Sequence, residues 1–265
     1  MKKKILIIGT SGYLGKIIKK NLSKNNKIIS SHLRNKKIID VNDYLKFKKI
    51  VKKNDIDFLI NCSGQLTNNM EEFKNTTLKG NKNIIKLAKK NNFKVIFCST
   101  THVYGNKKDE YTKMKLLAEE LYKKSNIDFK ILRISNVYDS SFKKKGLLKN
   151  LYLFFNDNLK TIEVINRDTY RNFIHIDDFS NFISLIIKNW FKYKKKILLL
   201  TTENIKIKNL ISYFIKKYPS KKFNTNNLKL KKTNESSIFL NNSLFAKKYF
   251  KYTKSMYLKK IIKNL

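Results

Sequence analysis

The chain has 265 residues, 42% of them apolar, which is enough for one large domain or for a main domain with a smaller lobe. Its formal charge is +40, but almost all of the basic residues are lysines dispersed along every predicted helix, a pattern typical of a solvated surface rather than a dedicated nucleic-acid interface. No apolar run has the length of a signal peptide or membrane span, so we expect a cytoplasmic protein without a membrane anchor. The two cysteines have no metal-ligand spacing, so we expect neither a disulfide framework nor a metal.

Short apolar runs alternate with amphipathic segments through the first half of the chain. The strand patterns cover 4–8, 27–30, 37–40, 57–61, 94–99 and 128–134. The helical patterns cover 12–24, 43–53, 72–91 and 111–124. Strands that are apolar throughout and separated by helices are typical of a parallel sheet covered on both faces. We therefore predict an α/β fold with a doubly wound, Rossmann-like sheet.

The alternation becomes less regular after about residue 140. A helix is predicted over 146–155, a strand over 161–165 and a strand–helix pair over 197–218. We expect a main domain over 1–140 and a small C-terminal lobe over 141–265, with a strand–helix portion near 173–203 that packs back on the first domain.

The segment Gly9-Thr10-Ser11-Gly12-Tyr13-Leu14-Gly15 follows the first strand and opens the first helix. Three of the seven glycines of the chain lie there, at a spacing of three. Glycines in this context allow a tight turn, a close approach of the backbone to a pyrophosphate and close packing of helix against strand. A simple Gly-rich turn is the alternative, but the flanking strand and helix favour dinucleotide binding by the 1–140 domain.

The residues after the second strand bear on which dinucleotide binds. A carboxylate normally binds the adenosine ribose there, but no acidic residue precedes Asp40, and Arg34 follows the strand instead. A guanidinium suits a 2′-phosphate, so NADP is favoured over NAD. Asp40 either meets the adenine or caps the helix that begins near Asp43.

Tyr111 and Lys115 are a candidate acid/base pair. Residues four apart share a helix face, and an ammonium beside a phenol can lower the pKa of the phenol for proton transfer. The spacing alone is not specific, because a lysine also lies four residues after each of four other tyrosines, Tyr44, Tyr104, Tyr213 and Tyr218.

The order of several motifs resembles the extended short-chain dehydrogenase/reductase family, whose NAD(P)-dependent epimerases, dehydratases and reductases act mostly on nucleotide sugars. The similar segments are the glycine loop, 40–43, 61–64, 78–83, 99–105, Tyr111 with Lys115 and Glu119, 133–138, 171–178, 240–243 and 255–258.

This resemblance implies that Tyr111 is the acid/base, that Lys115 lowers its pKa and holds the nicotinamide ribose, and that Thr100 binds the substrate oxygen. Together with Arg34, which is proposed above from its charge, the resemblance gives an expected cofactor site made of Gly9, Thr10, Ser11, Gly12, Tyr13, Leu14, Gly15, Arg34, Asp40, Val41, Cys62, Ser63, Gly64 and Lys115. It places Thr101, Asn136 and Arg171 at the substrate, and the C-terminal lobe around it. His175 and Asp177 are expected to be structural. A homodimer is also implied.

Two departures from the family pattern bear on the expected reaction and on the substrate class. Thr101 and His102 stand where the dehydratase branch has Asp-Glu, which disfavours dehydration, and the loop between Thr100 and Tyr111 is short. We expect an NADPH-dependent reductase of a nucleotide-linked 4-keto sugar. An NAD-dependent nucleotide-sugar epimerase and a non-catalytic dinucleotide-binding sensor or scaffold remain alternatives.

Overall fold

The computed structural model of the chain describes residues 2–30, 39–63, 70–106, 109–144, 146–156, 159–219, 228–231, 240 and 258–265. These residues form two compact units. The first is drawn from Met1–Val103, Lys108–Arg133 and Ser180–Leu199. The second is drawn from Tyr104–Lys107, Ile134–Phe179 and Leu200–Leu265.

The described residues contain strands and α-helices in a largely alternating order. From the N-terminus these are β1 (Lys4–Ile8), α1 (Tyr13–Leu22), β2 (Lys27–Ser30), α2 (Tyr44–Asn54), β3 (Phe58–Asn61), α3 (Met70–Asn91), β4 (Lys94–Thr100), α4 (Glu110–Lys123), β5 (Phe129–Ile134), β6 (Asn136–Tyr138), α5 (Leu147–Phe155), β7 (Ile162–Ile165), β8 (Tyr170–His175), α6 (Ile176–Lys188), β9 (Ile197–Leu200), β10 (Glu203–Lys206), α7 (Ile207–Lys217), β11 (Leu228–Lys231) and α8 (Leu258–Lys263). Short 3-10 turns cover Thr101–Tyr104 and Trp190–Lys192.

A six-stranded parallel sheet in the order β2-β1-β3-β4-β5-β9 confirms the predicted doubly wound α/β fold. Strand β1 pairs with β2 on one side and with β3 on the other, so that Leu6 lies opposite both Ile29 and Leu59. The direction of winding therefore reverses at β1. Ligands of open α/β sheets bind at such a reversal, at the carboxyl ends of the strands.

Two helices of the first unit, α2 and α4, begin at aspartates that cap them. The Asp43 carboxylate accepts the Lys46 N–H at 3.1 Å at the start of α2, and Asp109 accepts the Thr112 N–H at 2.8 Å at the start of α4. Each bond satisfies one of the unpaired N–H groups of a helix N-terminus. Apolar helix residues then bury against the sheet, in a core that includes Leu6, Phe47, Leu59, Ile84, Leu87, Phe97, Tyr122 and Phe129.

The second unit contains two small sheets and its own apolar core. One sheet has the order β10-β8-β6, with β6 parallel and β10 antiparallel to β8. In the other, β7 pairs with β11 in parallel. The core lies among α5, α7, α8 and these strands and is rich in aromatic residues, among them Phe142, Phe154, Phe155, Phe173 and Phe214.

The structure corrects part of the predicted element list. In the described half of the strand predicted over 37–40, Ile39 and Asp40 lie outside any strand. The segment predicted as one strand and one helix over 197–218 contains two strands, β9 and β10, before α7. Strand β6 lies outside the predicted strands, because it is only three residues long. Strand β8 overlaps the strand–helix portion expected near 173–203 but begins earlier, at Tyr170.

Candidate active site

The glycine loop joins β1 to α1 and brings their backbones close together. Gly9 has a φ of +80°, and a Cβ atom on it would lie 2.9 Å from the carbonyl carbon of Cys62. A Cβ atom on Gly15 would lie 2.2 Å from the carbonyl oxygen of Gly9. Gly12 is the N-cap of α1 and has no side chain to cover the first turn. The turn, with the positive end of a helix behind it, fits the pyrophosphate of a dinucleotide.

The end of β3 lies beside this loop. Both the N–H and the hydroxyl of Ser63 donate to Asn61 Oδ1, at 3.0 and 2.6 Å. The sulfur atoms of Cys62 and Cys98 are 3.5 Å apart, and this thiol–thiol hydrogen bond, together with burial, raises the pKa of Cys62 well above its ordinary value. Two residues predicted for the cofactor, Gly64 and Arg34, lie outside the described residues.

Asp40 and Val41 lie between the second strand and α2. Val41 is buried, and a Cβ atom on Gly80 would lie 2.5 Å from its Cγ2 atom, so α3 approaches this segment closely. The Asp40 carboxylate accepts the N–H of Asn42 at 2.8 Å. Capping of α2, one of the two roles considered for Asp40, therefore belongs to Asp43 instead.

The two threonines lie where β4 ends. Thr100 is the last residue of β4, and its hydroxyl oxygen accepts the N–H of His102 at 3.2 Å. Thr101 is buried and opens the 3-10 turn that follows. Both lie at the carboxyl edge of the sheet, as do Cys62 and Ser63 after β3.

Tyr111 and Lys115 lie one turn apart on α4, and the ammonium of Lys115 is 5.7 Å from the centre of the Tyr111 ring. Lys115 is only 3% exposed and donates to the carbonyl oxygens of Ser63 at 3.1 Å and Cys98 at 3.0 Å. Burial lowers the pKa of Lys115. The lysine thus ties α4 to the carboxyl ends of β3 and β4.

Burial also raises the pKa of Tyr111 to about 12, with smaller contributions from Cys98 and Asp109. In the chain by itself the phenol is therefore protonated at neutral pH and can act as a proton donor. The lowering of its pKa by Lys115 stays a prediction for the complex with cofactor and substrate.

A buried ion pair fixes the same face of this helix one turn further along. Glu119 is fully buried one turn after Lys115, and its carboxylate accepts from Arg133 Nη2 at 2.7 Å and from the Ser99 hydroxyl at 2.6 Å. These bonds join α4 to β5 and β4. Sequence reasoning named Glu119 and Arg133 only as parts of motifs, although a glutamate at the i+4 position after Lys115 was the available signal.

The predicted substrate residues Asn136 and Arg171 belong to the second unit. Asn136 lies in β6, and its side-chain amide donates to the carbonyl oxygen of Asn172 at 3.0 Å. Arg171 lies in the neighbouring strand β8, opposite Ile205 of β10. The small sheet therefore contains both residues, on adjacent strands.

Sequence reasoning missed a buried carboxylate cluster in the second unit. Glu203, which is 8% exposed, accepts the Tyr138 hydroxyl at 2.6 Å and the N–H of Leu258, the first residue of α8, at 3.1 Å. Burial raises the pKa of Glu203 to about 7 and that of Asp178 to about 6. No local pattern signals this cluster, because its members are far apart in the chain.

Among the residues that the structure describes, no helix is long and apolar enough to span a membrane. The same residues contain no group of histidine, cysteine or acidic side chains arranged to hold a metal ion.

Several solved structures have the same fold at low sequence identity. WbmG from Bordetella bronchiseptica, in complex with NAD and UDP, aligns with a TM-score of 0.80 at 16% identity, over 99% of this chain and 93% of that chain. L-threonine dehydrogenase from Clostridium difficile aligns with a TM-score of 0.78 at 19% identity, over 99% and 96%. A GDP-D-glycero-L-gluco-heptose synthase from Campylobacter jejuni, in the presence of NADPH, aligns with a TM-score of 0.74 at 16% identity, over 99% and 96%.

No curated protein matches the chain in sequence. The model of the NAD dependent epimerase/dehydratase family matches residues 5–198. This range spans the glycine loop, the Tyr111–Lys115 pair and the six strands of the central sheet, except the first residue of β1 and the last two residues of β9. The chain therefore belongs to the NAD dependent epimerase/dehydratase family.

Proposed function

We propose that this protein is an NADPH-dependent reductase of a nucleotide-linked 4-keto sugar. The observation that carries the proposal is the position of Lys115, whose buried ammonium joins the ends of β3 and β4 to the helix that carries Tyr111. A cation held there, at the edge of the sheet where dinucleotides bind, stabilises negative charge that develops on a nearby phenol or ribose oxygen.

In this proposal the glycine loop, Val41 and Ser63 hold the dinucleotide. When bound, the reduced nicotinamide supplies a hydride to the carbonyl carbon of the substrate. Tyr111 donates its proton to the carbonyl oxygen, which Thr100 positions through its hydroxyl. Lys115 binds the ribose and stabilises the tyrosinate that remains. Thr101, Asn136 and Arg171 bind the substrate, with the guanidinium on a diphosphate.

The preference for NADP rests on charge. No acidic residue lies between the second strand and Asp40 in the sequence, and Arg34, which follows that strand, has a guanidinium that would suit a 2′-phosphate. The solved structures of the same fold include complexes with NAD and with NADPH, so a nicotinamide dinucleotide is the common ligand and the 2′-phosphate is the distinguishing group. We also propose a homodimer, as is implied by resemblance to the extended short-chain dehydrogenases.

Calorimetric titration of the purified protein with NADPH and NADH tests the cofactor, and Arg34→Ser tests the guanidinium. We expect the variant to lose affinity for NADPH by about tenfold or more while keeping that for NADH, because a charge-assisted pair is lost only with NADPH. Tighter binding of NADH to the natural protein would refute the assigned role of Arg34.

Assays of nucleotide-linked 4-keto sugars then test the reaction. Tyr111→Phe is expected to lower kcat by about 10²–10⁴-fold, the usual contribution of a positioned proton donor. Tyr213→Phe is the matched control, because Tyr213 also has a lysine four residues later on a helix but lies in α7 of the second unit. Conversion of a nucleotide sugar without net use of NADPH would identify an epimerase instead. Full activity of Tyr111→Phe would remove the catalytic proposal.

A further inference from the structure

A chain of buried polar side chains lies behind Lys115 in the first unit. Asn61 at the end of β3 donates through Nδ2 to Asn81 Oδ1 of α3 at 2.9 Å. The same oxygen accepts the hydroxyl of Tyr122 of α4 at 2.6 Å. Asn81 in turn donates through Nδ2 to the carbonyl oxygen of Thr77 at 2.5 Å. Asn61, Asn81 and Tyr122 are each at most 2% exposed, so water does not compete for these bonds.

The backbone groups at the two ends of this series of hydrogen bonds determine the orientation of both side-chain amides. The backbone N–H of Ser63 can only donate, so Asn61 must present its oxygen to Ser63 and its nitrogen to Asn81. The backbone carbonyl of Thr77 can only accept, so Asn81 must present its nitrogen to Thr77 and its oxygen to Asn61. Burial raises the pKa of Tyr122, which keeps its hydroxyl protonated as a donor. Only this orientation of the two amides therefore allows all of these hydrogen bonds to form.

This series of hydrogen-bonded side chains reaches the Ser63 peptide, which binds Lys115. Strand β3 ends at Asn61, and the side chain of Asn61 accepts both the N–H and the hydroxyl of Ser63. The carbonyl oxygen of Ser63 is one of the two acceptors of the Lys115 ammonium. The other acceptor, the carbonyl oxygen of Cys98, belongs to β4 and is held by the sheet. The position of the Ser63 carbonyl thus depends on Asn61 and, through it, on Asn81.

We infer that Asn61 and Asn81 are positioning residues that place the Lys115 ammonium beside Tyr111 by holding the Ser63 peptide. The inference rests on the proposed function, in which Lys115 assists proton transfer from Tyr111. Tyr122 completes the chain and couples it to α4, the helix on which Tyr111 and Lys115 both lie. Neither asparagine contacts substrate in this role.

The first test uses the protein without ligands. Asn81→Ala is compared with Leu87→Ala, which removes a fully buried side chain from the same helix and has no part in the amide chain. Backbone hydrogen exchange of Ser63, measured by NMR, is expected to be about tenfold or more faster in Asn81→Ala, because its acceptor Asn61 is no longer held. Exchange at Ser63 is expected to stay close to the natural rate in Leu87→Ala. Equal exchange in the two variants would overturn the inference.

The second test uses the enzyme with NADPH and substrate. Displacement of the ammonium is expected to lower kcat by about 10- to 100-fold in Asn81→Ala and to raise the apparent pKa of the proton donor in the pH–rate profile. The KM for NADPH is expected to change much less, since the glycine loop is intact. An unchanged pH profile, or the same loss of kcat in Leu87→Ala, would show that Asn81 is only structural.

Two further variants keep the test informative if Asn81→Ala folds poorly. A protonated Asn81→Asp side chain accepts from Asn61 and Tyr122 and donates to the Thr77 carbonyl, so slow exchange at Ser63 should return at acidic pH and be lost as the carboxyl ionises. Tyr122→Phe removes one donor and little volume, and should give the kcat effect in weaker form. Absence of both effects contradicts the inference, whereas full activity of Tyr111→Phe refutes the proposed function itself.

Discussion

Replacement of Glu203 by Gln is expected to remove a pH dependence from the stability of the protein. Glu203 is nearly fully buried, and its pKa is raised from 4.5 to about 7, chiefly because burial disfavours the carboxylate. A tenfold change in acidity corresponds to about 1.4 kcal/mol, so ionisation of Glu203 destabilises the folded state by about 3 kcal/mol relative to the unfolded chain.

The sign follows from which state loses the proton first. Below pH 4.5 Glu203 is protonated in both states and makes no difference between them. As the pH rises towards 7 the unfolded chain loses this proton before the folded protein does, so the free energy of unfolding falls. Gln has no proton to lose, and its Oε1 can still accept from Tyr138 and Leu258, so Glu203→Gln should be the more stable protein at pH 8 and about equal at pH 4.

Urea unfolding of both proteins between pH 4 and pH 8 measures this difference directly. Subtracting the free energy of unfolding of one protein from that of the other at each pH removes the contribution of His175. Burial lowers the pKa of His175, so its titration makes the folded protein more stable as the pH rises, which is opposite to the effect of Glu203. The pKa of Asp178 is raised to about 6, and its charge interacts with Glu203, so the difference also contains the change that Glu203→Gln makes in the titration of Asp178. Glu163→Gln, at an exposed position of β7, is the control. A difference that does not vary with pH would refute the reasoning.

Three other predictions follow from the first unit. Gly15→Ala should destabilise the protein by about 3 kcal/mol or more, because its Cβ would lie 2.2 Å from the carbonyl oxygen of Gly9. For Gly12→Ala the same distance is 3.4 Å, so thermal unfolding should show a clearly lower Tm for Gly15→Ala than for Gly12→Ala. Arg133→Met should lower the free energy of unfolding in urea by about 3–5 kcal/mol, because Glu119 would stay buried without its cationic partner, and adding Glu119→Gln should recover much of this loss. Cys62 should react with iodoacetamide at pH 8 at least about tenfold more slowly in the folded protein than in urea, because its raised pKa leaves little thiolate; equal rates would contradict this.

Much of the fold and the cofactor loop could be predicted from the chain because the relevant physical demands are local. A strand followed by glycines and a helix predicts a turn with positive φ, which Gly9 adopts. The same pattern predicts a close approach of the backbone to its neighbours, which occurs at Gly15. The cap of α2 is local in the same sense, because a carboxylate binds an N–H three residues later, although the residue that makes this bond is Asp43 and not Asp40. Predictions of this kind need no knowledge of strand order.

The sequence by itself determined that a doubly wound sheet carries a glycine loop and that Tyr111 and Lys115 share a helix face. The tertiary structure alone decided what surrounds them. Asn61 and Asn81 are 20 residues apart, and Glu203 lies 65 residues from Tyr138, yet each pair shares one buried hydrogen-bond network. Periodicity predicts that a residue faces the interior, but strand order and helix packing decide which polar group it meets there. Those contacts determine where the lysine lies and which carboxyl group titrates near neutral pH.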